Sequence, residues 1–376
     1  MAEITIIGAG IGGLTTALAL RQGGHQVKVH ESAASIKAVG AGIVMANNAM
    51  QIFDQLGIRQ KIENAGSKIS NIHITNAQLQ PINITDLTSF EEKYKVHNVA
   101  IHLADLQNIL AEAVGFENII LGKRLVAIVP GKPSRLHFDD GTSEYAEILI
   151  GADGIHSKIR NHIFPNESLR DSQQRCWRGI CELPPNFNYD QTAYEAWGKG
   201  RRFGFVRINK DKIYWFAVIN DSLLKEEHLT LTFKSFHPDI LNMIRLTPKE
   251  SIIFNEIFDL KPIPQWHQEH ICLVGDAAHA TTPNMGQGAC QAVEDAYIIG
   301  KLFQSNSNPF EIFEIYEKLR KKKAHFIVNN SWTLGKIAQL ENPWAIWLRN
   351  KIFGALPDSV AKKQMDKVFD IQYLKK

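Results

Sequence analysis

Six residues near the start of the chain, Gly8-Ala9-Gly10-Ile11-Gly12-Gly13, restrict its fold more than any other stretch. A short apolar run at 3–7 precedes them, a segment of helical spacing at 14–21 follows, and residues 26–31 read as a second strand. Strand, glycine turn, helix and strand in that order predict a βαβ unit with parallel strands. In such a unit Gly8 permits the tight turn, Gly10 lets the backbone approach a pyrophosphate, and Gly13 allows close packing of the helix. Glu31 ends the second strand, where a carboxylate can bind both ribose hydroxyls. A lone G-x-G-x-x-G is weak evidence, because glycine turns also serve structure alone. With strand, helix and Glu31 in register, the motif predicts an adenine dinucleotide and leaves NAD or FAD open.

Two further stretches join it. Residues 273–288, LVGDAAHATTPNMGQG, begin as a buried strand, break at Gly275-Asp276, and pass through Pro283 into Gly286-Gln287-Gly288 and a helix. An acid at a strand end can accept hydrogen bonds from sugar-like hydroxyls, and free N–H groups at a helix start favour negative charge. Residues 151–154, Gly-Ala-Asp-Gly, with Ser157 and Arg160, follow another apolar strand. A turn with a helix cap is the simpler reading of Asp153, since Asp and Gly are common in both.

Together, in this order and spacing, the three motifs resemble those of the flavoprotein monooxygenases of the para-hydroxybenzoate hydroxylase type. The resemblance covers about residues 3–330 and is strongest to single-component bacterial enzymes related to urate hydroxylase, zeaxanthin epoxidase and the tetracycline-inactivating monooxygenases. It implies that Gly8, Gly10, Gly13 and Glu31 hold the ADP half of FAD, and that Asp153 lies near the pyrophosphate and the NAD(P)H route. It also implies that Asp276 binds the ribityl or pyrophosphate region, that Gly286, Gln287 and Gly288 face the isoalloxazine, and that Pro283 borders the face where dioxygen reacts. The implied activity is an FAD-dependent, NAD(P)H-consuming monooxygenase. Through a flavin hydroperoxide it would insert one oxygen atom into a small aromatic, heteroaromatic or polyene-like substrate. An antibiotic-modifying monooxygenase, or a flavin-binding sensor or scaffold without turnover, is the alternative. The W-x-W-x-I-P pattern of flavin halogenases is absent.

The same resemblance places Arg202 and Tyr214 beside substrate. A guanidinium can fix an anionic or carbonyl group, and a phenol can donate a hydrogen bond or take a proton. The competing reading of Arg202 is an exposed strand charge beside Arg201. Arg178 stands where urate enzymes carry a purine-contacting Asn, a departure that argues against urate. Leu103 stands where the family usually has a flavin-contacting Arg; His102 and Gln107 are the nearby polar groups that can compensate. His279 is read as a cap or core histidine, and neither His102 nor His279 is assigned catalysis.

The remaining pattern predicts an α/β protein: a Rossmann-type FAD-binding domain at 1–72, 96–170 and 266–330, with an inserted antiparallel β-sheet substrate domain at 73–95 and 171–265. C-terminal helices follow at 331–376, with Pro343 and Pro357 as breaks. Residues 100–114 are helical by period, 145–150 read as one strand, and the aromatic strands near 203–208 and 213–219 pair around a polar turn. The aromatics of this sheet (Trp197, Phe203, Phe205, Tyr214, Trp215, Phe216) can form a lid and pocket that exclude water, but alternate members, and most of them, are expected simply to build its core. The apolar segment 344–353 is expected to pack across the domains, with membrane-surface contact the lesser alternative that Arg349 and Lys351 keep open. A net charge of +3 over 376 residues argues against nucleic acid as a partner. The four cysteines form no C-x-x-C pair and no metal-ligand cluster, which points to a reducing, cytoplasmic location. The expected partners are a small-molecule substrate and dioxygen, in a monomer or homodimer.

Overall fold

The computed structural model describes residues 2–36, 41–185, 187–225 and 228–375. The strand Glu3–Ile7, helix Ile11–Gln22 and strand Gln26–His30 form the βαβ unit that the glycine motif requires. Around it a six-stranded sheet runs in the order His267–Gln268, Ile271–Leu273, Leu149–Gly151, Glu3–Ile7, Gln26–His30, Ile119–Ile120. All its neighbours pair in parallel except the edge strand His267–Gln268. Its central strands are buried and almost wholly apolar, as parallel strands covered on both faces must be.

A seven-stranded sheet forms the second layer, ordered Ile253–Leu260, Leu169–Glu182, Lys212–Asn220, Arg201–Arg207, Thr192–Trp197, Asn71–Asn76, Pro81–Asp86. It is antiparallel except where Asn71–Asn76 meets Thr192–Trp197. Alternation along its strands sends Phe203, Phe205 and Trp215 to one face. There they pack with Phe233, Phe236 and the helix Pro238–Leu246 into a separate buried core. These three rings are core residues, whereas Tyr214 and Phe216 take the opposite face and stay partly exposed.

Two expectations need correction. Residues 100–102 are strand rather than helix: Asn98–His102 pairs with Gly42–Met45 and Ser67–Ile69, and the helix begins at Leu103. A short apolar run satisfies either period, and here the His102 side chain decides by accepting the Ala104 N–H at 3.1 Å and capping the helix. Residues 145–150 are also two strands. Ser143–Ala146 belongs to a small antiparallel sheet, while Leu149–Gly151 enters the parallel sheet. The break falls where alternation with an exposed Tyr145 gives way to the continuously buried Ile148, Leu149 and Ile150. Pro343 and Pro357 begin helices: each stands at the start of one, Pro343–Gly354 and Asp358–Phe369.

The helices Gly288–Ser305 and Pro309–Ala338 are joined through buried charge. Arg320 donates to Glu294 at 2.6 Å, to Asp295 at 2.8 Å and to the Gln291 side chain at 2.8 Å, all without solvent exposure. Burial pushes both carboxyls upward in pKa, but Arg320 and Lys323 outweigh it at Glu294, and His279 and Arg320 outweigh it at Asp295. Both acids therefore stay below the usual carboxylate range. Removing one partner of such a cluster leaves an uncompensated buried charge. Arg320→Met should therefore lower unfolding free energy by ~3–5 kcal/mol in urea titration, and a loss below ~1 kcal/mol would refute this role. A histidine of the same helix sets an acid limit. His325 is pushed down to about 4, mainly by burial, from an ordinary 6.5. Between those values the unfolded chain holds a proton that the folded chain lacks, so stability should fall as pH drops from 6.5 toward 4, and His325→Gln should flatten that slope in melts across pH.

Candidate active site

Four adjacent parallel strands end side by side, and each leads into one of the sequence motifs. Gln26–His30 leads to Glu31, Glu3–Ile7 to Gly8, Leu149–Gly151 to Asp153, and Ile271–Leu273 to Gly275-Asp276. Backbone hydrogen bonds keep the ends in step: Gly8 N–H to His30 O at 2.8 Å, Ala152 N–H to Ile7 O at 2.9 Å, and Val274 N–H to Gly151 O at 2.9 Å. The carboxyl end of a parallel sheet is where such folds bind ligands.

Gly8 has φ +106°, and a Cβ there would lie 2.3 Å from the Ala152 carbonyl oxygen. A Cβ on Gly13 would lie 1.9 Å from the Gly8 oxygen, whereas Gly10 has open space on that side. The turn is thus closed toward the protein and open toward a ligand. Glu31 accepts the Ala9 N–H and the Ala33 N–H, each at 2.8 Å, which fixes its carboxylate beside the glycine turn. Gln107 reaches the same turn through the Ala9 carbonyl at 3.3 Å.

Asp153 and Asp276 differ in how committed they are. Asp153 accepts the Ser157 hydroxyl at 2.5 Å and the N–H groups of Lys158 and Ile159 at 2.8 and 3.2 Å, so both its oxygens cap the helix Lys158–Ile163. Asp276 is open to solvent at the floor of the cleft and makes no side-chain hydrogen bond among the described residues. The protein crowding around it pushes its carboxyl pKa up, opposed by His279 and Arg160. Buried Arg160 joins the two loops, donating to the Ile155 and Ala277 carbonyls at 2.6 and 3.1 Å.

Beyond Asp276 the chain forms a short turn, Pro283–Met285, and then the helix Gly288–Ser305. Pro283 and Gly286 are exposed, and Gly286 has φ +60° with nothing where a Cβ would stand. The helix has neither a side-chain cap nor an acid in its first turn, so its positive end is left to a ligand. Gln287 is turned inward, accepting from Asn48 at 3.0 Å, so it meets the cleft through its backbone. His279 is structural: it lies 2.6 Å from Asp295, which also accepts the Gly275 N–H at 2.9 Å.

Across the cleft, one face of the large sheet carries Arg178, Ile180, Tyr214, Phe216, Arg202 and Glu195, as the strand register dictates. Arg178 donates to the Asn255 side chain at 2.5 Å and lies beside Tyr214. Crowding pushes the Tyr214 phenol pKa up, only partly offset by Arg178. Gly204 leaves room for the Phe216 ring, whose Cε1 would otherwise lie 2.2 Å from a Cβ. Arg202 is buried rather than an exposed strand charge. It donates to Glu195 at 3.2 Å and to the side chain of Asn284, which in turn donates to Thr282 and the Ser331 carbonyl, both at 2.8 Å.

With that geometry in view, comparison with known proteins decides the cofactor. A model of the FAD binding domain matches residues 1–171 and 247–331. The chain belongs to this FAD-dependent monooxygenase family. It is 35% identical over 356 residues to the aurachin C monooxygenase/isomerase of Stigmatella aurantiaca, covering 93% of each protein. It is 28% identical to the 2-heptyl-3-hydroxy-4(1H)-quinolone synthase of Pseudomonas aeruginosa over 97% of each. HpxO of Klebsiella pneumoniae, solved with FAD and uric acid, shares the fold with a TM-score of 0.91 at 23% identity, covering 98% of this chain and 96% of that one.

The enzyme's own residues fit FAD. The open side of Gly10, the unpartnered Asp276 and the uncapped helix at Gly288 lie close together: Gly12 and Gly275 both abut Ala292, and a Cβ on Gly288 would stand 3.8 Å from the Asp276 Oδ1. Leu103, where the family usually has Arg, opens the helix Leu103–Val114 and donates its N–H to Ala41 at 2.9 Å. His102 is used as that helix's cap, so of the two candidates for compensation Gln107 alone touches the dinucleotide turn. Sequence reading did not single out Asn48, Asn284, Glu195, Asn255 or Asp295. Their partners are mostly far along the chain, where no spacing rule applies. Asp276→Ala should lose most bound FAD, since a hydrogen bond to a charged group contributes ~1.5–3 kcal/mol; a flavin-to-protein absorbance ratio near that of the parent after gel filtration would sink this assignment.

Proposed function

We propose that this monooxygenase hydroxylates a lipophilic, 4-quinolone-like heteroaromatic at the electron-rich carbon beside its carbonyl. The observation that carries this reading is the Arg178–Asn255–Tyr214 cluster, which stands beside the apolar Phe216 and Ile180 on its sheet face. One guanidinium and one phenol suit a planar ring with a single carbonyl or anionic oxygen, while the aromatic and aliphatic surround suits an apolar arm. A purine, with polar atoms on every edge, would leave several unpaired. The names of the aurachin and heptyl-quinolone relatives support the same class of substrate.

Bound FAD supplies the redox chemistry, drawing electrons from NAD(P)H and activating dioxygen. The protein's part is to orient and to exclude water. Arg178, held by Asn255, fixes the substrate oxygen. Tyr214, whose raised pKa keeps it protonated, acts as a hydrogen-bond donor rather than a base. Arg202 holds Asn284 and hence the turn bearing Pro283, so its contribution is to position that turn against the sheet. Asp153 shapes the pyrophosphate loop through the helix it caps. Residues 1–72, 96–170 and 266–330 serve the cofactor, 73–95 and 171–265 the substrate, and 331–376 brace both. Four free, buried cysteines support a reducing, cytoplasmic location.

The test is NAD(P)H oxidation by the FAD-loaded enzyme with 2-heptyl-4(1H)-quinolone, urate, 6-hydroxynicotinate and tetracycline, with mass spectrometry under labelled dioxygen. The quinolone should stimulate turnover most and gain one labelled oxygen; coupled turnover of urate or tetracycline alone would overturn the reading. Tyr214→Phe should lower kcat/KM on the quinolone by ~10-fold or more, equivalent to ~1–3 kcal/mol for a lost donor, with FAD content unchanged.

A further inference from the structure

The helix Pro343–Gly354 turns large apolar side chains outward, where a water-facing surface would carry polar ones. Trp344, Trp347, Leu348, Lys351, Ile352 and Ala355 follow the spacing of a single helix face. That face looks outward: Trp344 is 79% exposed, Trp347 56%, Ile352 53% and Leu348 52%. The inward side carries Arg349. Buried Arg349 donates to the Ile337 and Ala338 carbonyls at 3.3 and 2.9 Å and lies 4.8 Å over the Trp197 ring, which Phe353 meets edge-on at 5.1 Å. Docking of the helix rests on its inner side, while the outer aromatic stripe keeps more than half of each large side chain exposed.

The exposed run continues through Leu356 and Pro357 to Val360, after which Lys363 and Lys367 take the same exposed face of the next helix, Asp358–Phe369. Acids of that helix are engaged by other lysines: Asp358 pairs with Lys362 at 4.0 Å and Asp366 with Lys93 at 2.6 Å. Lys351, Lys363 and Lys367 are therefore open to an anionic group outside the protein. Among the described residues no helix is long and apolar enough to cross a membrane, so the stripe can lie on a bilayer but not span it.

We propose that this face docks the enzyme on anionic membrane surfaces, with Trp344 and Trp347 at headgroup level and Leu348 and Ile352 at the acyl boundary. The three lysines then face lipid phosphates. Tryptophan beside aliphatic residues with lysine at the rim is the chemistry that partitions to the bilayer interface. A second copy of the chain fits less well, because a two-fold contact centred on the stripe sets Lys351 against its own copy. The docked helix rests on Trp197, which is paired with Arg202, so the membrane would lie one layer from the substrate sheet. This inference does not depend on the identity of the substrate.

The test uses the full-length, FAD-loaded enzyme with vesicles of phosphatidylcholine, with and without phosphatidylglycerol, reading co-sedimentation and tryptophan emission. Binding to the anionic vesicles with a blue-shifted emission is expected. Joint replacement Trp344→Ser, Trp347→Ser, Leu348→Ser and Ile352→Ser should weaken partitioning by roughly tenfold or more. Lys351→Glu with Lys363→Glu should abolish the preference for phosphatidylglycerol, and Trp347→Ser alone serves if the quadruple variant melts early. Flavin content and Tm verify that each variant is folded. Wild-type protein that stays in the supernatant with both vesicles overturns the proposal, as does binding that survives the apolar replacements. A lipid-free dimer in sedimentation velocity, lost on Trp347→Ser, would assign the stripe to a second copy instead.

Discussion

Asp295 is the group on which the site's architecture turns. Its carboxylate accepts the Gly275 N–H, lies against His279 and receives Arg320, with no water contact of its own. Gly275 holds φ +58°, a left-handed conformation in which the chain leaves the strand and presents Asp276 to the cleft. A buried carboxylate paired so closely permits little movement of the turn it holds. Through Arg320 the same network reaches Glu294, and Glu294 reaches Asn48 at 2.6 Å, which also holds Gln287. Both ends of the flavin-binding stretch are therefore braced from one buried cluster, and the cleft side is left free of protein partners.

The seven-stranded sheet is joined to that stretch by Arg202. Its burial would be unfavourable without charge pairing, and Glu195 provides the pairing while Asn284 takes a second donor. Substrate face and flavin turn consequently move as one body at this point. Along the same face Arg202 and Glu195 serve this joint, whereas Arg178, Asn255 and Tyr214 stand on the neighbouring strands.

Local rules made much of this legible in the sequence. The glycine turn, Glu31, the acid after Leu273 and the uncapped helix at Gly288 each depend on neighbours within a few residues, so their types and spacing carried the meaning. The split at 145–150 and the strand at 100–102 were not legible, because short apolar runs fit either period and only a partner strand decides between them. The Asp295–Arg320 and Arg202–Asn284 pairs escaped for another reason: each joins residues remote in sequence, where no spacing rule applies. Arg202 shows the limit well, since a charged residue on a strand beside Arg201 reads as surface until the Asn284 side chain is known to face it.

The parallel pairing of Asn71–Asn76 with Thr192–Trp197 has a consequence for how new specificities arise. The seven-stranded sheet is woven from two excursions of the chain, with Rossmann-type segments returning between them, so its core comes from the later excursion while its edge strands Asn71–Asn76 and Pro81–Asp86 come from the earlier one. Exchanging residues 171–265 alone between relatives would place a foreign edge against the resident strand Asn71–Asn76, where the side-chain alternation of both must agree residue by residue. Recombination should therefore succeed only when both excursions travel together. Divergence within this architecture is channelled instead into single substitutions on the cleft-facing side, at positions such as Arg178 and Tyr214, that leave the shared seam intact.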